Sequence, residues 1–416
     1  MHMNKTNKEM EFSKYIFPKI KTKKWKKIRL IDTTNKKIKW SFTGGPFGSN
    51  LQSSDYTNDG IRVIQLQNIG DGVFNNDYKI YTSEKKANEL LSCNIYPNEI
   101  LISKMGDPVG RACIVPEQEK RYVMCSDGIR LVVDEDKYSK DYIYYAINSE
   151  AFRLKIFKNS TGSTRRRIGL DILKNLEMLI LKEKEEQEKI AECLKSIDDL
   201  LLQEEDKLEK LKSHKNGLLQ KLFPQDNKCM PELRFKRYNQ KWEKMTFDNL
   251  LDYERPEKYI VESTNYESSG TPVLTANKAF ILGYSSETFG IYKNVPVILF
   301  DDFTTDKKFV DFPFKVKSSA IKILKPKGQN NLKFIFEIMN NTKFTFTEHK
   351  RYYISTYKNI AIFATKNKQE QQKIAECLLS IDNLISAQTR KIELLKQHKK
   401  GLLQGLFPSI EEVENE

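Results

Sequence analysis

The sequence predicts two α/β domains alternating with two long helices that pair as an antiparallel coiled coil. Three observations predict it. The hexapeptide KIAECL occurs twice, at 189–194 and 373–378. Around it, 187–224 aligns with 371–408 at a constant offset of 184 with 24 of 38 positions identical, which marks a duplicated architecture. Ahead of each copy lie short apolar runs bounded by Gly, Asn, Asp and Pro, which read as strands.

In chain order, the first domain is expected over 12–182. VIQLQNI (63–69), ILISKM (100–105) and IRLVVD (129–134) read as its strands, and DYIYYAINSEAFRLKIF (141–157) as helix. The first long helix follows at 183–224. Its apolar residues Ile190, Leu194, Ile197, Leu201, Leu208, Leu211, Leu218 and Leu222 step alternately by four and three once Glu204 and Lys215 are placed on the same stripe, a heptad seam. The second domain is expected over 231–367, with strands TPVLTA (271–276), PVILFDDF (296–303) and SAIKIL (319–324) and helix NLKFIFEIMN (331–340). The second long helix, 368–408, repeats the seam at Ile374, Leu378, Ile381, Ile385, Ile392, Leu395, Leu402 and Leu406, with Gln388 and Lys399 at the two interrupted positions.

Neither helix contains an internal proline, and Pro224 and Pro408 stop them. Each should run about 36 residues, or about 54 Å. So narrow a stripe needs a partner, and the other copy supplies it. Antiparallel pairing is expected, because parallel pairing would oblige the second domain to span the whole helix length back to its start. The polar seam residues Glu204, Gln388, Lys215 and Lys399 should fix register.

The two domains also read as homologous. Lys24-Trp25 opens one and Lys241-Trp242 the other, and the offset of 184 continues upstream of the helix, so that Lys174-Asn175 maps onto Lys358-Asn359 and Arg165-Arg166-Arg167 onto His349-Lys350-Arg351.

Composition narrows the function. Net charge is +14 with a pI near 9.2, which suggests a polyanionic partner. Residues 1–182 carry 32 Lys/Arg against 21 Asp/Glu and residues 223–367 carry 23 against 16, so the excess positive charge lies in the domains rather than the helices. No apolar run is long enough for a membrane span and no signal-peptide core is visible, so a cytoplasmic protein without membrane contact is expected; Met1, His2 and Met3 read as a cloning scar. The six cysteines form no CxxC pair and do not cluster with the four histidines, so they are read as reduced thiols and no metal site is expected.

The candidate DNA-binding residues are Gln65, Gln67, Asn68, Lys104, Arg111, Arg165, Arg166 and Arg167 in the first domain, and Asn277, Lys278, Lys307, Lys350 and Arg351 in the second. STGSTRRRIG is a Gly/Ser/Thr-rich loop whose backbone N–H groups and cations suit phosphate, and QLQN and TANK offer amides of the kind that pair with adenine edges. The competing readings are a solvated arginine face and ordinary turn amides.

With these features in place, the chain resembles the specificity (S) subunits of type I restriction-modification enzymes over essentially its whole length. The carrying stretches are EQEKIAECLKSIDDLL and QEQQKIAECLLSIDNLI, GLLQKLFP and GLLQGLFP, MPELRFKRYNQKWEKMTF, and GPFGSNLQSSDYTNDGIRVIQLQNIG. The resemblance implies that each domain is a target recognition domain reading one half of a split double-stranded DNA sequence. It implies that the helices set the spacing and dock two modification subunits, through which restriction subunits join. It also implies S-adenosylmethionine for adenine methylation and ATP with Mg2+ for restriction, both used by the assembled complex and neither bound by this chain. One departure is visible: EFSKYIFPKIKTKKWKKIRL, ahead of the first domain, matches RFKRYNQKW only loosely.

The residues themselves point away from catalysis. No Pro-Pro pair exists for the (N/D)PP(Y/F) motif of an adenine methyltransferase, no GxxxxGK(S/T) occurs, and TGGPFGS does not match GxGxxG. FDDFTTDKKFVDF lacks a PD…(D/E)xK frame for a nuclease metal. Two other readings stay open at this point: a stand-alone methyltransferase or nuclease with its own recognition domains, and a coiled-coil tether that reads no DNA.

Overall fold

Alternating β-branched and aromatic runs build the sheets, and the heptad stripe builds the helices. The computed structural model describes residues 24–225, 228–277, 279–344 and 351–414. The chain divides into two units: the first joins residues 1–203 with 392–416, and the second is the continuous span 204–391.

In the first unit, strand Trp25–Arg29 pairs antiparallel with Glu177–Leu181, so the chain closes the domain where it opened. A four-stranded antiparallel sheet holds Phe42–Gly44, Gly128–Leu131, Ile100–Ser103 and Ala112–Ile114 in that order. A second sheet contains the parallel pair Ile61–Ile64 and Tyr122–Met124. The strand expected over 63–69 ends at Ile64, because Leu66–Asn68 turns into a 3-10 segment when the Asn68 side chain accepts from the Gln65 backbone N–H. The helix expected over 141–157 is two, Lys140–Asn148 and Glu150–Lys158; Ser149 ends the first and its hydroxyl caps the second.

The second unit repeats the plan. Glu243–Thr246 pairs antiparallel with Ala361–Ala364, again at the two ends of the domain. Its four-stranded sheet runs Leu251–Glu254, Ile321–Pro326, Val297–Asp301, Lys307–Val310, and its smaller sheet again contains a parallel pair, Thr271–Leu274 with Lys315–Val316. Helix Leu332–Asn341 packs on this core.

The long helices are Lys184–Leu222 and Lys368–Leu406, 39 residues each. Their residues divide between the units, and within each unit they run antiparallel. In the second unit, Gln388 and Lys391 meet Glu204, Asp382 meets Lys215, and Ile374 shares a core with Leu222; as numbers rise along one helix they fall along the other. In the first unit, Ile190 and Leu194 share a core with Leu402 and Leu406, and Lys399 pairs with Asp198 at 2.5 Å. Every seam residue is buried or half-buried: Ile190, Leu194, Leu201, Leu222, Ile374, Leu378, Ile381, Ile392, Leu402 and Leu406 are buried, and Ile197, Leu208, Leu211, Leu218, Ile385 and Leu395 are half-buried.

Polar seam residues are paired specifically. The Gln388 amide donates to the Glu204 carboxylate at 2.6 Å and to its backbone carbonyl at 2.9 Å. Lys215 and Lys399 do not face each other; each finds an aspartate of the opposite helix, Asp382 at 2.6 Å and Asp198 at 2.5 Å. The offset of 184 relates these two ion pairs.

One identical polar residue of the repeat extends the stripe by one step of three ahead of its first apolar residue and is fully buried. Gln187 donates to the Leu181 carbonyl and accepts from the backbone N–H of Ser139, the cap of the first domain helix. Gln371 donates to the Thr365 carbonyl and accepts from the backbone N–H of Asn331, the cap of helix Leu332–Asn341. Each glutamine thus ties a long helix to its domain's closing strand and to a helix N-terminus at once.

Candidate nucleic-acid interface

In the first unit the central strand Ile100–Ser103 delivers Lys104 to one end of the four-stranded sheet. Lys104 N–H donates to the Asp127 carbonyl at 2.6 Å, and its carbonyl accepts from Ile168 N–H at 2.9 Å. The next residues, Met105–Gly106, pair antiparallel with Arg166–Arg167. The basic loop is therefore stitched to the end of the central strand. It doubles back through reciprocal Thr161 and Arg167 backbone bonds, and at its turn Gly162 has φ +100°, with the Arg165 carbonyl 2.7 Å from where a Cβ would stand.

The three arginines have different surroundings. Arg165 is exposed. Arg166 lies over the Phe157 ring at 3.8 Å and donates to the Phe157 carbonyl at 3.2 Å. Arg167 is exposed but ion-paired with Asp127, a partner that no motif singles out. Of the three, Arg165 has the side chain most open to a phosphate.

Arg111 joins the amide segment to this loop. Half-buried, it lies against Gly106 and donates to the Leu66 carbonyl at 3.4 Å. Within that segment Gln67 is exposed, and Gln65 is half-buried with its amide donating to the Tyr56 hydroxyl at 3.0 Å. Asn68 is a correction: it is fully buried, its amide donates to the Asn75 and Tyr78 carbonyls, and its oxygen accepts from Gln65 N–H. Its side chain shapes the loop, and full burial withholds it from a base. Lys104 is half-buried beside these groups. The structure thus brings Gln65, Gln67, Lys104, Arg111 and the arginine triplet to one end of the first unit's sheets.

The second unit builds an equivalent corner. Central strand Val297–Asp301 delivers Asp302, whose carbonyl accepts from Tyr352 N–H at 2.8 Å, and Tyr352 is Ile168 plus 184. Here the residue after the strand is acidic and buried: Asp302 pairs with Lys322 at 3.1 Å and accepts from Tyr353 N–H at 2.8 Å. Arg351 is exposed, with its guanidinium 5.8 Å from the centre of the Phe303 ring. Lys307 is half-buried 5.8 Å from the Tyr357 ring, and burial pulls its pKa down. Asn277 is exposed just past strand Thr271–Leu274. Lys278 and Lys350 lie outside the described residues.

Asp301 accepts from the N–H groups of Phe303 and Thr304, both at 2.9 Å, so the first two carboxylates of FDDFTTDKKFVDF serve a turn and an ion pair. Among the described residues no group of three or more His, Cys, Asp or Glu is disposed to hold a metal ion, and no helix is long and apolar enough to cross a membrane. Cys93, Cys113 and Cys125 are buried, and Cys193, Cys229 and Cys377 half-buried, all as free thiols.

Residues 57–213 match the family model for the type I restriction modification DNA specificity domain. The type I restriction enzyme EcoR124I/EcoR124II specificity subunit of Escherichia coli is 42% identical over 152 residues, covering 34% of this chain. That match spans 38% of the length of the curated relative. Among solved structures, the S subunit of a type I restriction-modification system from M. genitalium aligns over 93% of this chain and 96% of its own, with a TM-score of 0.60 and 17% identity. A chain from a structure described as the basis of complex assembly and conformational transition of the type I R-M system aligns over 93% and 98%, with a TM-score of 0.53 and 11% identity. At these identities the two structures speak for the fold.

Proposed function

We propose that the chain is a type I restriction-modification specificity subunit, the non-catalytic DNA-reading subunit of such a system, a reading supported by the specificity-domain match over 57–213 and the 42% identity to a specificity subunit over 152 residues. Two recognition domains, 12–182 and 231–367, each read one half of a bipartite duplex target. The helical segments 183–224 and 368–408 set the spacing and dock two modification subunits, through which restriction subunits join in the cytoplasm. S-adenosylmethionine, ATP and Mg2+ are consumed by those partners, which supply methyl transfer and DNA cleavage.

One observation carries this reading. The same strand-end corner occurs twice, with Ile168 N–H on the Lys104 carbonyl and Tyr352 N–H on the Asp302 carbonyl, the two donors being related by the helical offset of 184. Two equivalent corners, each with an exposed arginine, suit a ligand that presents two sites in succession. The corner residues differ, which suits two different half-sites.

The test is to express the chain with its modification subunits and map methylated adenines across the host genome. The expected result is a single split motif whose halves respond separately: substitutions at Gln67 alter one half and substitutions at Asn277 the other. Labelled methyl transfer by the purified chain alone, or a continuous motif, would contradict the proposal. Arg165→Ala should weaken binding across all sequences and lower the salt slope by about one unit without changing base choice.

A further inference from the structure

Several large apolar side chains are exposed, and among the described residues Phe47 is the extreme case at 82%. It belongs to the segment Gly44-Gly45-Pro46-Phe47-Gly48, and the backbone around it is held firmly. Strand Phe42–Gly44 pairs Gly44 with Ile129, and Gly45 N–H donates to the Gly128 carbonyl at 2.8 Å. Only glycine fits at 45, since a Cβ there would stand 1.7 Å from the Cys125 carbonyl oxygen. Beyond the ring, Asn50 N–H closes a turn on the Phe47 carbonyl at 2.8 Å, and the Gln52 amide donates to the Ser49 carbonyl at 3.2 Å. The loop is an anchored mount for a bare aromatic ring.

The mount is fixed to the same turn that organises the basic corner. Residues 125–128, against which Gly45 packs, include Asp127, which binds Lys104 N–H through its carbonyl and Arg167 through its carboxylate. An exposed ring mounted on a turn shared with the basic corner suits a ligand with stacked π-faces and a phosphate backbone. The second unit lacks the device. Its equivalent edge strand, Leu251–Glu254, continues as Arg255-Pro256-Glu257, so Pro256 stands where Pro46 does and a carboxylate stands where the ring does.

We propose that Phe47 is an apolar wedge that inserts against a base step of the half-site read by the first domain. This rests on the DNA-reading role above. An inserted side chain unstacks the step it enters and makes the energy of deforming that step part of recognition. The half-site of the second domain, facing Glu257, stays stacked.

The experiment uses the full chain assembled with its modification subunits and duplexes carrying 2-aminopurine at successive positions of the mapped motif. The wild-type complex should raise fluorescence at one step of the first half-site and at none of the second. Phe47→Ala should abolish that rise and weaken binding about tenfold, within the range for loss of one stacked aromatic, while the salt slope stays unchanged. Phe47→Leu should retain part of both effects, since leucine also serves as a wedge. A Phe47→Ala complex with wild-type affinity and an unchanged fluorescence profile would overturn the proposal. So would a Phe47→Ala chain that fails to assemble with the modification subunits, which would make the ring a protein contact. A wild-type complex that bound no duplex would overturn the DNA-reading role and the wedge together, so the two failures are distinguishable.

Discussion

The two domains open on the same Lys-Trp pair but are fastened to their long helices by different means. In the second unit Trp242 is buried, and Glu370, fully buried at the start of the helix, accepts a bidentate grip from Arg234 at 2.6 and 2.9 Å and a bond from the Trp242 indole at 3.4 Å. In the first unit Trp25 is also buried, but the matching residue Glu186 is one-third exposed and pairs with Lys24, itself half exposed. A second junction diverges likewise. Asp198 receives the Tyr145 hydroxyl at 2.8 Å and Lys399, whereas Asp382 receives Lys215 and Lys333, with buried Glu337 behind them. The long helices keep their groups at an offset of 184, and the domains supply whatever meets them. Duplication held the helical surface constant while the domain side of each joint changed.

The sharpest way to break the comparison is Arg234→Ala. It leaves Glu370 buried without its cation, and removing one partner of a buried pair costs about 3–5 kcal/mol. The second unit's unfolding transition should fall accordingly in calorimetry, and Lys24→Ala is its control. An exposed pair contributes about 0–1 kcal/mol, so that variant should leave the first unit's transition nearly unmoved. Equal losses in both units would show that the fastenings are equivalent after all.

Acid should separate the units next. Burial raises the Asp382 pKa, but hydrogen bonds from Lys215 and Lys333 outweigh it and hold the carboxyl below its ordinary value. The unfolded chain therefore binds this proton more readily than the folded one. The contribution is complete well above an unfolded pKa of about 3.9 and is lost as pH falls through that value towards the folded one. Asp382→Asn should flatten this part of the second unit's stability profile, at a cost of about 2 kcal/mol near neutral pH, the scale of a hydrogen bond to a charged group.

The two glutamines provide the equality that sharpens these differences. Gln187→Ala and Gln371→Ala each leave a helix-cap N–H and a strand carbonyl without their partner. Each should cost about 1–3 kcal/mol, and hydrogen exchange should rise at Ser139 in one variant and at Asn331 in the other. Losses that differ by more than the individual range would mean that the joints have diverged here too.

Much of this was legible in the sequence. The apolar stripe named every seam residue, because a period near 3.5 survives whatever surrounds it. The loop pairing at Ile168 and Tyr352 follows from carrying the offset of 184 upstream of the helix. Asn68 was misread because an amide in a polar turn looks the same whether it faces solvent or folds inward onto three backbone groups. Gln187 and Gln371 are visible as identical residues one step ahead of the apolar stripe, but nothing in a single sequence says that a polar helix residue is capping another helix. Arg234 lies in the MPELRFKRYNQKW stretch whose counterpart before the first domain matches only loosely. That mismatch was the sequence trace of the different fastening.

The division of each long helix between the units has a consequence for synthesis on the ribosome. The second unit is a continuous span, 204–391, and all its parts have been made when Lys391 is added. The first unit must wait, since Leu402, Leu406 and Phe407 belong to its core, with the Phe407 ring 5.0 Å from that of Tyr142. The domain translated first is thus completed last, and until then its helix-facing apolar surface stays exposed to chaperones and to other chains. Closing it requires contacts between residues more than 250 positions apart, the kind of long-range pairing that slows folding.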